Sequence, residues 1–312
     1  MRAIGKGTVL KERYRLERPL GRGSMGHVWQ GLDLHLGRPV AVKLVAADAL
    51  SDDQELQRFR QRFQREARAA AALDSANVAT VYDADITGDL HWLVMQLVDG
   101  ATLGMLLDER ERFDVTSAAA VAAQICSGLS AAHAAGLVHR DLKPENVMVR
   151  RDGLVKILDF GLVKLVADDG PSLTVTGEHP GNLMYASPEL LSGACAPDAR
   201  SDLYGVGCLL HHLLAGAPPF AAAHPMTVLQ QHLHDTPPLL AEYGVDVPDG
   251  LQALVSALLS KERGDRPASA AEVYGALGPW LPAARPGPAA LGELSTEDPR
   301  RPFVLPQGPY PV

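Results

Sequence analysis

The chain has 312 residues, 46% of them hydrophobic and 21% charged, with a formal charge of −8. That is enough apolar sequence for a sizeable core and too much for a disordered polymer, and the acidic balance offers no field to attract nucleic-acid phosphates. Cys126, Cys195 and Cys208 cannot all pair and show no CxxC spacing, which points to free thiols in a reducing cytoplasm; neither a signal peptide nor a stretch approaching the roughly 20 apolar residues of a membrane span is expected.

Leu20 to Val28 spells LGRGSMGHV, with Gly21, Gly23 and Gly26 in a G-x-G-x-x-G pattern. Glycines let the backbone come close enough for amide N–H groups to cradle phosphate. A dinucleotide-binding turn shares the pattern but should open a helix. Here an extended Val28 to Leu32 follows, then an alternating strand, Pro39 to Leu44, that carries Lys43. A hairpin lying over a nucleotide is the expectation. Gln54 to Leu73 has the helical period, with Phe59, Phe63, Ala67 and Ala70 on one face and Glu66 beside them. Asn77 to Tyr82 and Leu90 to Val94 have strand character around a Gly88-Asp89 turn.

Ala101 to Arg112 and Val115 to Ala135 predict helices, the second stopped by Gly136. Leu137 to Val149, LVHRDLKPENVMV, then places Asp141, Lys143 and Asn146 in one short loop before an apolar run. A carboxylate near a lysine is in most proteins a surface ion pair of little value, so the order of residues has to carry the argument. Leu154 to Leu158 is strand-like and leads into Asp159-Phe160-Gly161. Asp198 to Ala215 is an apolar helix holding Asp202, which burial obliges to be hydrogen-bonded. His211, His212, His224, His232 and His234 lack cysteines or acidic partners at ligand spacing, so metal binding there is not expected. Ser269 to Leu281 predicts the last helix. From Pro282 onward the chain is rich in Pro, Gly and Ala, the composition of a disordered tail.

In order, the glycine loop, V-A-V-K at Lys43, H-R-D-L-K-P-E-N over 139–146, D-F-G at Asp159, S-P-E at Glu189 and G-D-R-P at Arg266 resemble the motifs of eukaryotic-type Ser/Thr protein kinases, in particular their bacterial branch. The resemblance runs from about Tyr14 to Leu281. It implies an α+β, two-lobed fold: a small antiparallel sheet lobe with one helix over 14–95, a hinge over 96–100, a larger helical lobe over 101–281, and the tail 282–312. ATP would be bound by Leu20, Gly21, Arg22, Gly23, Ser24, Met25, Gly26, His27 and Val28 of the loop, under a roof completed by Ala41. Met95 would be the gatekeeper, Gln96 and Val98 the hinge, and Met148 the floor beneath adenine.

The same resemblance gives Lys43, held by Glu66, the α/β-phosphates, and gives Asp141 the substrate hydroxyl proton. Lys143 would offset charge on the moving phosphoryl group, and Asn146 and Asp159 would hold Mg²⁺, for which Mn²⁺ can substitute. Thr174 and Thr176 stand where bacterial relatives autophosphorylate; Arg140 and Lys164 would receive the about −1.5 to −2 charges a phosphate brings. Implied partners are ATP, protein substrates and a second copy for trans-autophosphorylation through the small lobe, in the cytoplasm. Two departures stand out: Asn182 replaces a threonine that bonds the catalytic aspartate in the family, and DSAN (74–77) replaces a His-Pro-Asn turn. The alternative is a nucleotide-binding pseudokinase serving as a scaffold, which the presence of Lys43, Asp141 and Asp159 together argues against.

Overall fold

The computed structural model describes residues 5–23, 26–45, 53–87, 90–160, 183–283 and 294–304. These fall into two compact units, one made of the described residues within 5–74 and 79–98, the other of 75–78, 99–160, 183–283 and 294–304.

The first unit is a six-stranded antiparallel sheet with one helix. Its strands are β1 (Val9–Leu10), β2 (Tyr14–Gly23), β3 (Gly26–Asp33), β4 (Arg38–Val45), β5 (Val81–Thr87) and β6 (Leu90–Gln96), in the order β1-β2-β3-β4-β6-β5. Alternation along β4 divides its buried side chains between two faces. Val40, Val42 and Leu44 pack with Tyr14, Leu16, Trp92 and Val94 on one side, where Tyr14 and Trp92 meet edge-to-face at 5.7 Å. Ala41 and Val45 face the other way, and helix α1 (Asp53–Ala71) lays Phe59, Phe63 and Ala67 over them together with Leu93 and Met95. The helical period foretold that stripe.

The second unit is mainly helical. A three-stranded antiparallel sheet, β7 (Gly100–Thr102), β8 (Val147–Arg150) and β9 (Val155–Ile157), is joined by α2 (Leu103–Arg110), α3 (Val115–Ala134), α4 (Pro188–Ser192), α5 (Ala199–Ala215), α6 (Pro225–His234), α7 (Asp249–Leu258) and α8 (Ala270–Leu277). Caps fix several starts. Asp114 accepts from the Ser117 amide at 3.0 Å to begin α3, and Asp198 with Ser201 forms a capping box on α5. Both α3 and α5 are apolar around nearly their whole circumference because they are core helices, packed against each other.

Three expectations need correction. The helix Val115–Ala134 is long and apolar enough to cross a membrane by length and composition, contrary to the expectation that no stretch comes near; it is largely buried inside its own unit. The strand expected over 77–82 begins only at Val81. Residues 77–79 are buried because they pack as a loop: Asn77 O accepts from the Ile157 amide at 2.8 Å and Val78 bridges to Ile157. The tail is not uniformly disordered, since 294–304 folds onto the second unit, with Asp298 and Val304 each 7% exposed and a helical turn at Arg301–Val304.

Candidate active site

In the first unit, strand register puts the expected nucleotide contacts on one face. Gly21 lies opposite Val28, Val28 opposite Lys43, Lys43 opposite Leu93, and Ala41 opposite Met95. Directly opposed residues share a face, and this is the face that receives α1. Lys43 is buried there, 7% exposed, between Ala41 and Val45. Glu66 is half-buried on α1, next to Ala67 of the same apolar stripe. Val28 is only half-covered by protein, and Leu20 is 41% exposed. Gly26 has φ +146, and a Cβ there would fall on the Leu44 carbonyl, so no other residue fits. Gly21 is different: among the described residues no atom lies within 4 Å of its would-be Cβ. The backbone amide of Gln96 donates to Thr80 O at 2.8 Å, and Val98 is buried. Ser24 and Met25 lie outside the described residues.

The second unit holds the acid-amide-lysine loop, and its geometry starts from Asp202. That carboxylate, 2% exposed on α5, accepts the backbone N–H groups of His139 and Arg140, both at 2.8 Å, and meets His133 Nε2 at 2.8 Å. These bonds hold Arg140 at φ +65, a left-handed conformation that costs a non-glycine residue about 1–3 kcal/mol and persists only where neighbours impose it. His139 is fully buried. Its Nε2 donates to Leu158 O at 2.7 Å, its Nδ1 accepts from the Asp141 amide at 3.3 Å, and its ring meets Phe160 edge-to-face at 4.9 Å. The loop is therefore tied to the strand that follows it.

On this frame Asn146 Nδ2 donates to Asp141 O at 2.7 Å and to Asp141 Oδ2 at 3.0 Å, while Lys143 Nζ lies 3.1 Å from the same Oδ2. Only the NH₂ side of an amide can meet two acceptor oxygens, so Asn146 Oδ1 is turned away from Asp141. Leu158 N donates to Asn146 O at 2.8 Å, which sets Asp159 next to the loop, and Asp159 itself has φ +57. Among the described residues no three His, Cys, Asp or Glu side chains cluster as a self-sufficient metal site. Asn146 and Asp159 instead offer two hard oxygen donors, a number suited to Mg²⁺ when phosphates and water supply the others. Met148, on β8, is half-buried between the fully buried Val147 and Val149. Thr174, Thr176, Lys164 and Asn182 lie outside the described residues.

A buried pair is tied to α5 at Ser201, the residue before Asp202. Arg266 donates to Glu189 as a fork, Nη1 to Oε1 at 2.8 Å and Nη2 to Oε2 at 2.9 Å, and Ser201 Oγ donates to Oε1 at 2.6 Å. Burial alone would raise the Glu189 pKa, but the Arg266 and Ser201 bonds outweigh it and hold the carboxyl down at about 2. Tyr185 Oη meets His212 Nδ1 at 2.7 Å, and Tyr204 Oη meets His232 Nδ1 at 2.8 Å. Burial, with His211 nearby, pushes His212 down to about 4, and burial with Lys261 pushes His232 to about 3. No role for His133 or Gln124 was legible from their residue types and spacing. The only hint at Gln124 was its solitary polarity in the apolar run AAVAAQIC.

The protein kinase domain family matches residues 14–276. The chain belongs to the protein kinase family. Its two units are the sheet-rich and helical parts of the two-lobed α+β kinase fold, and its relatives place it on the bacterial Ser/Thr branch. It is 38% identical over 268 residues to the serine/threonine-protein kinase PknB of Mycolicibacterium smegmatis, covering 85% of this chain and 42% of that protein. It is 40% identical over 265 residues to PknL of Mycobacterium bovis, covering 85% and 65%. A probable serine/threonine-protein kinase of Streptomyces coelicolor is 38% identical over 268 residues, covering 84% and 39%. The chain thus spans about two-fifths to two-thirds of the length of these relatives.

Proposed function

We propose that this kinase-family protein transfers the γ-phosphoryl group of ATP to Ser or Thr hydroxyls of proteins, its own Thr174 and Thr176 included, within cytoplasmic signalling. The observation that carries the proposal is the loop in which Asn146 and Lys143 converge on one carboxylate oxygen of Asp141. Asp141 is thereby aimed beside a cation, in the position of a group that accepts a hydroxyl proton. The kinase domain is assigned to 14–281, with 14–95 as small lobe, 96–100 as hinge and 101–281 as large lobe.

Phosphoryl transfer asks the protein mainly for positioning and charge stabilisation. Lys43, steadied by Glu66, holds the α/β-phosphates, and Gly21 leaves open space where a phosphate can approach the backbone. Val28, Ala41, Met95 and Met148 enclose adenine, whose edge meets the backbone of Gln96 and Val98. Asn146 Oδ1 and the Asp159 carboxylate hold Mg²⁺ or Mn²⁺, which when bound neutralises charge on the phosphates. Lys143 stays beside the transferred group. Pairing with a second copy would allow trans-autophosphorylation. The scaffold alternative gains no support, because every side chain it would be expected to lack is present.

The test is incubation of purified protein with γ-labelled ATP, Mg²⁺ and myelin basic protein, wild type against Asp141→Asn. Label in both proteins for wild type and none for the variant is expected. A variant that still labels either one removes Asp141 from the mechanism.

A further inference from the structure

We propose that residues 294–304, beyond the family's matched range, are a strap that completes the catalytic unit, and that Gln124 is the positioning residue through which the strap holds β9 and hence Asp159. Gln124 is 3% exposed on α3, where an unsatisfied amide would be costly. Its four hydrogen-bonding capacities are all used. Oε1 accepts from Val155 N at 2.9 Å and Asn77 Nδ2 at 3.3 Å; Nε2 donates to Gly153 O at 3.2 Å and to Pro299 O at 3.1 Å. One of the four partners therefore comes from the strap.

What Gln124 holds on the other side leads to the reacting groups. Asn77 Nδ2 also donates to Val155 O at 2.9 Å, and the Ile157 amide donates to Asn77 O at 2.8 Å, so β9 is fixed at both ends. The next residue, Leu158, bonds Asn146 through its N–H and His139 through its carbonyl, and Asp159 follows. Losing Pro299 leaves Nε2 with a single acceptor and frees the amide to turn, which loosens the oxygen that holds the Val155 N–H.

The strap is built rather than draped. The Asp298 carboxylate accepts from Arg300 Nη2 at 2.7 Å, Arg300 Nε at 3.0 Å and Arg300 N at 2.9 Å, and the Asp298 amide donates to Ser295 O at 3.2 Å. Its charges face complementary ones: Asp298 feels Arg110 at the end of α2, and Arg300 feels Asp114 at the start of α3. The turn between β8 and β9 leaves it no spare room. Gly153 has φ +82, and a Cβ there would fall on the Asp298 carbonyl and close against Arg301 and Pro302.

Two full-length variants release the strap by different routes. Gly153→Asn keeps a residue type that tolerates the left-handed region but puts a side chain where the strap lies. The double variant Asp298→Ala, Arg300→Ala unmakes the strap's own turn and leaves Gly153 alone. Hydrogen exchange is measured on the peptides covering 139–141, 153–158 and 294–304, together with kcat and KM for ATP.

In wild type 294–304 should be protected. In both variants it should lose protection, the Val155 and Ile157 amides should exchange about tenfold faster or more, and the His139 and Arg140 amides, held by Asp202, should not change. Because positioning of a metal-holding strand is lost rather than ATP contact, kcat should fall about tenfold while KM for ATP moves less than about twofold. Deprotection confined to 294–304, with β9 and kcat untouched, would overturn the proposal, as would an unprotected 294–304 in wild type. The kinetic arm rests on the proposed phosphotransfer; the exchange arm decides the strap even if no transfer is found.

Discussion

Replacing Arg266 by Met tests the buried pair that is tied to α5 beside Asp202. The guanidinium makes five hydrogen bonds: two to Glu189, at 2.8 and 2.9 Å, and one each to the carbonyls of Ser260 (2.8 Å), Arg200 (3.0 Å) and Lys261 (3.0 Å). Both partners are buried, with side-chain exposures of 0% and 6%. Summing about 1.5–3 kcal/mol for each charge-assisted bond would rival the whole stability of a domain, about 5–15 kcal/mol. Water entry and loop relaxation cap the loss, and breaking one side of a buried pair costs about 3–5 kcal/mol. Glu189 carries that cost, because burial pulls its carboxyl up and Arg266 with Ser201 holds it down at about 2; without the cation it must stay charged and unpaired or take up a proton. The assay is urea unfolding at pH 7, followed by exchange-protected amides of α5 and α8 so that the signal belongs to the second unit. Removing both partners, as Glu189→Leu with Arg266→Met, should restore part of the loss. A single variant within about 1 kcal/mol of wild type, or a double variant no better than the single, would refute the reasoning.

Asp202→Asn places an NH₂ group where three donors converge. It should lower kcat about 10–100-fold by letting Arg140 leave its left-handed conformation, measured as phosphotransfer at saturating ATP; unchanged turnover would show that the loop holds itself. Gly26→Ala should cost both folding stability and ATP affinity, whereas Gly21→Ala should cost ATP affinity alone, since no atom of the described residues waits at its Cβ; thermal unfolding with and without ATP separates the two. Acid should destabilise the second unit below pH 6.5. His212 and His232 are neutral in the folded state down to about 4 and about 3, so the unfolded chain binds protons first. Stability from these groups is therefore complete above pH 6.5 and is lost progressively as pH falls toward those values. Glu189, held at about 2 in the folded state against 4.5 when free, adds to the fall only at the acid end of that window, where the unfolded carboxyl begins to take up protons. Unfolding midpoints between pH 7.5 and 4 should slope downward, and His212→Gln should flatten the slope; an equal slope in the variant would assign the effect elsewhere.

The chemistry-bearing stretches were legible because each places an unusual residue set in a fixed order: three glycines before a strand lysine, then acid, lysine and amide in one loop. The α1 stripe and the buried helices α3 and α5 were legible from period and apolarity. Apolarity alone also misled. Ala-rich α3 satisfies the length and composition of a membrane span because every side of it meets protein. Residues 77–79 resemble a strand because they are buried, yet Asn77 O and Val78 pair with Ile157 of β9, and the Val78 amide donates to Ser75 O. The left-handed Arg140 and Asp159 carry no compositional mark, since glycine or asparagine would ordinarily stand at such angles. The strap was hidden by Pro- and Gly-rich flanks. Its order comes from one Asp298–Arg300 turn and one carbonyl offered to Gln124, both invisible until α3 and the β8–β9 turn are side by side.

Phosphosite mapping of the purified protein after incubation with ATP and Mg²⁺, with Asp141→Asn in parallel, tests the account most directly. It predicts phosphate on Ser and Thr, Thr174 or Thr176 among them, and none in the variant. ATP-dependent thermal stabilisation of the wild type with no phosphate transferred to itself or to any added protein would contradict it.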